Sequence, residues 1–171
     1  LDDELVDALE RGDIKLVRAA WLLANRKLDL QNIFCSRNID LPTVFQRDRF
    51  VVYDALVNAV YADGLRTLSR LYDADGDDQS AAREGQNADQ AGAAINELCW
   101  DEAKSAFVSL AGRARRRLQV VTIASLFPLI VDSTPPERRA AVVERYLTNR
   151  DEFWTDFPVP TVARSEPSFD P

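Results

Sequence analysis

Apolar residues fall in two interleaved rows between Arg49 and Tyr72. Val57, Tyr61, Leu65, Leu68 and Tyr72 recur at helical spacings, and Val52, Leu56, Ala59 and Val60 form a second row beside them. The period is that of an α-helix. Apolar residues on two sides predict a helix sandwiched between neighbours. Gly64 in its middle costs about 1 kcal/mol against alanine, a cost that is tolerable if a neighbouring helix approaches closely there. Residues 79 to 98 predict a second long helix, with Ala81, Ala88, Ala91, Ile95 and Leu98 as a small-residue face. Residues 99 to 110 break the period, and Phe107 to Leu110 are short enough for a strand. A helix from about Gln119 to Val131 is expected next, with Pro128 near its end. The stretch Ser133 to Glu137, STPPE, is a helix start: Thr134 as cap, Pro135 at the first helical position and Glu137 closing a capping box. The helix it opens carries Ala140, Val143 and Leu147 on one face, and a brief helical turn begins at Asn149. Upstream, residues 2 to 10 and 13 to 27 predict two shorter helices. The second is capped by Asp13, with Val17, Ala20, Trp21 and Ala24 on one face. Leu28 to Gln46 is mixed, mostly loop with a short helical turn. Short connections predict antiparallel neighbours. The expected fold is all-α, with little or no strand.

Charge narrows the function classes. The 171 residues carry a net charge of −7 and a pI of about 4.7. An acidic surface repels nucleic acid and anionic membranes, so neither is an expected partner. Arg113, Arg115, Arg116 and Arg117 are the exception, expected as a solvated loop or helix edge. Cys35 and Cys99 sit among apolar neighbours and read as reduced, buried small hydrophobes. No apolar run reaches the length of a membrane span, and a cytoplasmic protein is the default expectation. There is no histidine, which removes Ser-His-Asp and Cys-His catalysis and most zinc sites from this chain. There is no methionine either, and the first residue is Leu1. The chain therefore reads as a section of a longer one.

Asp73 to Glu84, DADGDDQSAARE, imitates a calcium loop, with Asp73, Asp75 and Asp77 at alternate positions and Glu84 at the twelfth. The sixth position demands glycine and holds Asp78; the eighth should be apolar and is Ser80. The expected role is an acidic interhelical loop, with Asp77 or Asp78 capping the next helix. No metal and no other cofactor is expected.

Three segments carry a resemblance. Phe50 to Leu71, FVVYDALVNAVYADGLRTLSRL, is similar to a helix that begins with phenylalanine and aspartate and then reads Asn-Ala in glycoside hydrolase family 63 and its mannosylglycerate hydrolase-like relatives. ELCWDE resembles their Leu-Trp-Asp-Glu turn, with Cys99 where leucine is usual. Ser125 to Pro171 resembles their longest signature. There a helix ends in an Asn-x-x-Glu-Phe turn, followed by a Pro-Ser-Val-Ala loop; here that loop is Pro160, Thr161, Val162 and Ala163, and Glu166 replaces an aspartate. The resemblance is carried by residues 49 to 171.

The resemblance implies a piece of an (α/α)6 toroid built from antiparallel helical hairpins. It implies a cofactor-free inverting glycosidase acting on α-linked glucosyl or mannosyl compounds. Trehalase-like, glucosidase and glycogen-debranching assignments are common among relatives. In relatives the Pro-Ser-Val-Ala loop leads into a tyrosine-tryptophan-arginine-glycine segment lining the sugar pocket. The catalytic acid lies upstream and the base downstream of the part matched here, so no catalytic residue is assigned to this chain. A carbohydrate is the expected partner. The candidate substrate-lining residues are Thr161, Arg164, Asp54 and Trp100. Thr161 and Arg164 offer a hydroxyl and a guanidinium to sugar hydroxyls or a carboxylate; the other reading is that Thr161 caps a turn and Arg164 pairs with Glu166. Asp54 and Asn58 lie one helical turn apart, as sugar ligands or as a structural network tying helix to loop. Trp100 with Asp101 forms either a stacking wall or a packed tryptophan beside a turn cap. The alternative for the whole chain is a self-contained all-α protein-interaction module.

Overall fold

Asp54 decides where the first long helix starts. In the computed structural model, which describes residues 51–169 together with Arg11, Arg18, Trp21, Ala24, Phe45 and Gln46, its carboxylate accepts the Val57 amide at 3.0 Å. Helix α1 (Ala55–Asp75) therefore begins later than the apolar rows predict. A two-residue strand, β1 (Val52–Tyr53), precedes it. Gly76 ends the helix with φ of 81°, a left-handed conformation that glycine adopts without strain. Its amide bonds Asp73 O, and the Asp77 amide bonds Tyr72 O at 2.9 Å, the paired bonding of a Schellman stop. Asp77 then caps α2 (Asp78–Ala94) by accepting the Ser80 amide. The supposed calcium loop is thus a helix end, a tight turn and a cap. Glu84 is engaged by Arg83 and Asn87.

The chain divides into two units, 1–51 and 52–171. In the first, Arg18, Trp21, Ala24, Phe45 and Gln46 are helical. The expected helix over 2 to 10, most of that over 13 to 27 and Cys35 lie outside the described residues.

In the second unit, α1 and α2 pack as an antiparallel hairpin through small residues. The buried residues are Ala55, Ala59 and Ala62 on α1 and Ala81, Gly85, Ala88 and Gly92 on α2; Gly85 lies against Ser69 and Arg66 of α1, and Ser69 Oγ donates to Ala81 O. This corrects the predicted core face of α1: Val57, Tyr61 and Leu68 are exposed, as are Val60 and Leu71. Period alone cannot choose between apolar rows, and alanines win here because they let two backbones approach. Gly64 is likewise not a contact point. Among the described residues a Cβ there would meet nothing within 4 Å, whereas one at Gly92 would collide with Ser133 and come within 3.1 Å of Val131 Cγ1. Gly64→Ala should raise stability by about 0.5–1 kcal/mol. Gly92→Ala should lower it by about 1–2 kcal/mol, because Val131 is buried and Asn96 holds the Ser133 carbonyl. Urea midpoints of the two variants should move in opposite directions; movement in the same direction would contradict the packing.

One π-helical turn (Ile95–Cys99) finishes α2 and delivers Cys99, buried with a free thiol that burial pushes up in pKa. Two short hairpins follow, so the expectation of almost no strand holds only for length. β2 (Trp100–Asp101) pairs with β3 (Ala106–Phe107). β4 (Leu110–Ala111) pairs with β5 (Arg116–Arg117) and with β1. Each hairpin has a four-residue turn whose last residue is left-handed: Ser105 at φ 52° and Arg115 at φ 51°. The arginine row therefore lies on an exposed hairpin. Arg115 stacks 5.6 Å over the Tyr53 ring and Arg117 bonds the Leu98 carbonyl.

The helix expected over Gln119 to Val131 is a 3-10 segment, Ile123–Ile130. Thr122 and Ser125 form its capping box. Pro128 inside it has no amide to sustain an α-helical ladder. Thr134 does not cap the next helix, because its buried hydroxyl donates to Pro128 O at 2.7 Å. Helix α3 (Pro136–Val142) instead has Pro135 at its cap and Pro136 at its first position, and a π turn (Val143–Leu147) extends it. Its buried residues are Val142 and Tyr146, one position off the predicted face. The segment from Asn149 to Phe153 is turn rather than helix, with Asn149 Oδ1 accepting the Asp151 amide.

Phe107, Phe153, Val121, Val142, Tyr146 and Ala163 lie together in the core. The Tyr146 hydroxyl donates to Lys104 O at 2.7 Å, tying α3 to the first hairpin turn.

Candidate functional site

The closing segment is stitched to the start of the 3-10 segment. The Ala163 amide donates to Val121 O, the Ile123 amide to Thr161 O, and Thr122 bridges Val162. Glu166, buried, accepts the Val121 amide at 2.8 Å and faces Lys104 Nζ at 3.4 Å. On the other side, Phe153 is fully buried, and the amides of Phe153 and Trp154 close onto Tyr146 O and Asn149 O. Between these anchored ends the chain runs from Trp154 to Pro160 over the surface.

That path encloses an open cleft of about 620 Å³, lined by Arg150, Asp151, Trp154, Phe157, Arg164 and Phe169 among others. Burying Phe153 turns its neighbour Trp154 outward, and Phe157 is 91% exposed. Arg164 crosses the cleft to donate to Arg150 O at 3.2 Å. Aromatic faces beside forked guanidinium donors are suited to a ring bearing hydroxyl or carboxylate groups: the faces stack, and the fork satisfies paired oxygens.

Of the sequence candidates, Arg164 lines this cleft, and Thr161 follows Pro160, which also lines it. The Arg164–Glu166 pair of the alternative reading does not form, because Glu166 turns inward to Lys104 and Val121. Asp54 lies elsewhere, as the α1 cap. Ser109 Oγ accepts the Ala55 amide at 3.0 Å, and Asn58 Nδ2 donates to Asp54 O; this is a network tying helix to loop. Trp100 is also apart from the cleft, buried in β2 with Phe107 edge-on at 5.0 Å and Arg138 at 4.9 Å over its face. Sequence reasoning passed over Arg150 and Trp154, which it read only as part of a helical turn. Their signal was an aromatic residue and charges crowded into a short connection between anchored ends.

Asp101 accepts the Lys104 amide at 3.0 Å, and Gln119 Nε2 is at 3.4 Å. The Lys104 amide first, and Gln119 after it, hold this carboxyl below the ordinary range. A carboxyl whose folded pKa is depressed contributes stability above its unfolded value near 4 and loses that contribution as pH falls through the folded value. Across that acid window the wild type should lose stability faster than Asp101→Asn, measured by urea unfolding from about pH 7 to about pH 2.5. Parallel curves for the two proteins would refute it.

The sequence profile of the mannosylglycerate hydrolase MGH1-like glycoside hydrolase domain matches residues 11–171. The chain belongs to that family. Among solved structures, this MGH1-like chain is similar to a GH63 mannosylglycerate hydrolase from Thermus thermophilus in complex with glucose. The TM-score is 0.72 at 21% identity, over 84% of this chain and 35% of that one. The same Thermus enzyme in complex with Tris gives a TM-score of 0.73 at 21% identity, over 84% and 34%. A sialidase matches with a TM-score of 0.60 at 18% identity, over 69% of this chain and 11% of that one. At such identities the likeness is one of fold. The MGH1-like chain spans about a third of the length of the Thermus enzyme. No functionally curated protein matches it in sequence.

Proposed function

We propose that this MGH1-like domain is a section of an (α/α)6 toroid in an inverting glycoside hydrolase acting on α-linked glucosyl or mannosyl compounds. The observation that carries this reading is the family match along nearly the whole chain. The fold likeness to a mannosylglycerate hydrolase supports it. So does the exposed apolar stripe of α1, Val57, Leu68 and Leu71, an uncovered face of the kind a further helix would cover.

Inversion needs two carboxyl groups about 6.5 to 9.5 Å apart, one protonated and one activating water. Asp151 and Asp156 line the cleft but are solvent-exposed, whereas a glycosidase acid is kept in a dry environment. The family resemblance implies that both catalytic carboxyls belong to parts of the enzyme outside residues 1–171. The cleft, through Arg164, Arg150 and Trp154, contributes sugar-binding contacts. The test compares residues 1–171 with the product of the entire reading frame around them, on mannosylglycerate and on α-glucosides. The longer chain should release sugar that appears first as the β-anomer by proton NMR, and the 171-residue chain should release none. Hydrolysis by residues 1–171 alone would refute the placement of the carboxyls. First appearance of the α-anomer would refute inversion.

A further inference from the structure

A second recess lies where β1 and the start of α1 meet the end of α2, with a volume of about 300 Å³. It shares no lining residue with the closing-segment cleft. Ile95, Leu98, Cys99 and Leu110 give it an apolar interior, and the rings of Tyr53 and Tyr61 stand on its walls. Among the described residues that line it, the only full charge is Arg115. The left-handed Arg115 backbone turns that side chain back over Tyr53, and stacking leaves the guanidinium edge available to an acceptor. Among the described residues Arg115 makes no ion pair.

We propose that this recess binds a small apolar monocarboxylate, with its hydrocarbon body against Ile95, Leu98 and Leu110 and its carboxylate on Arg115. Three features select that chemistry. A recess of this size with an apolar interior and few polar groups takes an apolar body. One guanidinium balances one negative charge, whereas a phosphate dianion would be left half-neutralised. A planar carboxylate also matches the forked donors of arginine in two parallel bonds. Asp54, an acid at this end of α1, is committed to the Val57 amide as helix cap. The site goes beyond the glycosidase reading and does not depend on it.

The probe is 4-phenylbutyrate, titrated calorimetrically into the 171-residue chain, with 4-phenylbutanol as its uncharged counterpart. Saturable binding of one equivalent is expected, weakened by about tenfold or more for the alcohol and for Arg115→Gly. Glycine suits the left-handed backbone at that position, so this variant keeps the hairpin; circular dichroism verifies it. Ala94→Trp, at the exposed rim, should abolish binding by filling the entrance. Inorganic phosphate should not compete. Absence of saturable heat from the wild type, equal affinity for acid and alcohol, unchanged binding by Arg115→Gly or by Ala94→Trp, or competition by phosphate would each overturn the proposal.

Discussion

Phe107→Ala will destabilise the protein by about 3–5 kcal/mol. The ring is fully buried, and Trp100 meets it edge-on across the β2–β3 pair at 5.0 Å. Truncation removes the apolar area of the ring and leaves a space that the short hairpin cannot close, because the Tyr146 hydroxyl holds its turn at Lys104 O. A domain of this size has total stability of about 5–15 kcal/mol, so the loss is a large share of the whole. Val57→Ala is the contrast. Val57 belongs to the most regular apolar row of the sequence, yet it is 61% exposed, and its truncation should change stability by no more than about 0.5 kcal/mol. Urea unfolding followed by tryptophan fluorescence measures both. Similar losses at the two positions would show that the alanine-lined face of α1 is not the one that packs.

The second large effect is expected at Glu166. Its carboxylate is buried and accepts the Val121 amide at 2.8 Å, with Lys104 Nζ at 3.4 Å. Glu166→Ala strands a buried amide, which costs about 1–3 kcal/mol, and removes the ionic partner of Lys104. Lys104 is partly exposed and regains water, so the ionic loss is smaller than that of a fully buried pair. The sum is about 2–3 kcal/mol. Glu166→Gln keeps an acceptor for Val121 and should lose about 1 kcal/mol. Hydrogen exchange gives a local readout: the Val121 amide should exchange faster in the alanine variant and stay protected in the glutamine variant. If both variants match the wild type in stability and exchange, Glu166 does not hold the closing segment in place.

What the sequence made legible was existence and order. The two long helices, the acidic connection capped by Asp77 and the break after Cys99 follow from period and capping chemistry, and local signals of that kind survive tertiary packing. Facing was less legible. Ala59 and Val60 are neighbours in one predicted row, yet the former is buried and the latter exposed; only tertiary packing decides between them. The STPPE start was read one residue early, because nothing local reveals that Pro128 O, distant in the pattern, claims the Thr134 hydroxyl. The two hairpins were the least visible, since their left-handed turn positions are occupied by Ser105 and Arg115 rather than by glycine or asparagine. For the site, Arg164 was found through its loop, whereas Arg150 and Trp154 were hidden inside what looked like a helical turn. Family membership was the most legible property of all, because motif order persists where individual contacts do not.

The two hairpins begin ten residues apart, with turns of equal length and only Val108 and Ser109 between their paired strands. Neither linking residue has slack. Val108 is buried, and Ser109 receives the Ala55 and Leu118 amides. Removing or adding one residue at this joint would invert every subsequent side chain relative to the pleat. Leu110 would be sent to solvent and a charged arginine edge turned toward the interior. Homologous sequences should therefore vary in length at the tips, 102–105 and 112–115, and keep the two-residue joint constant.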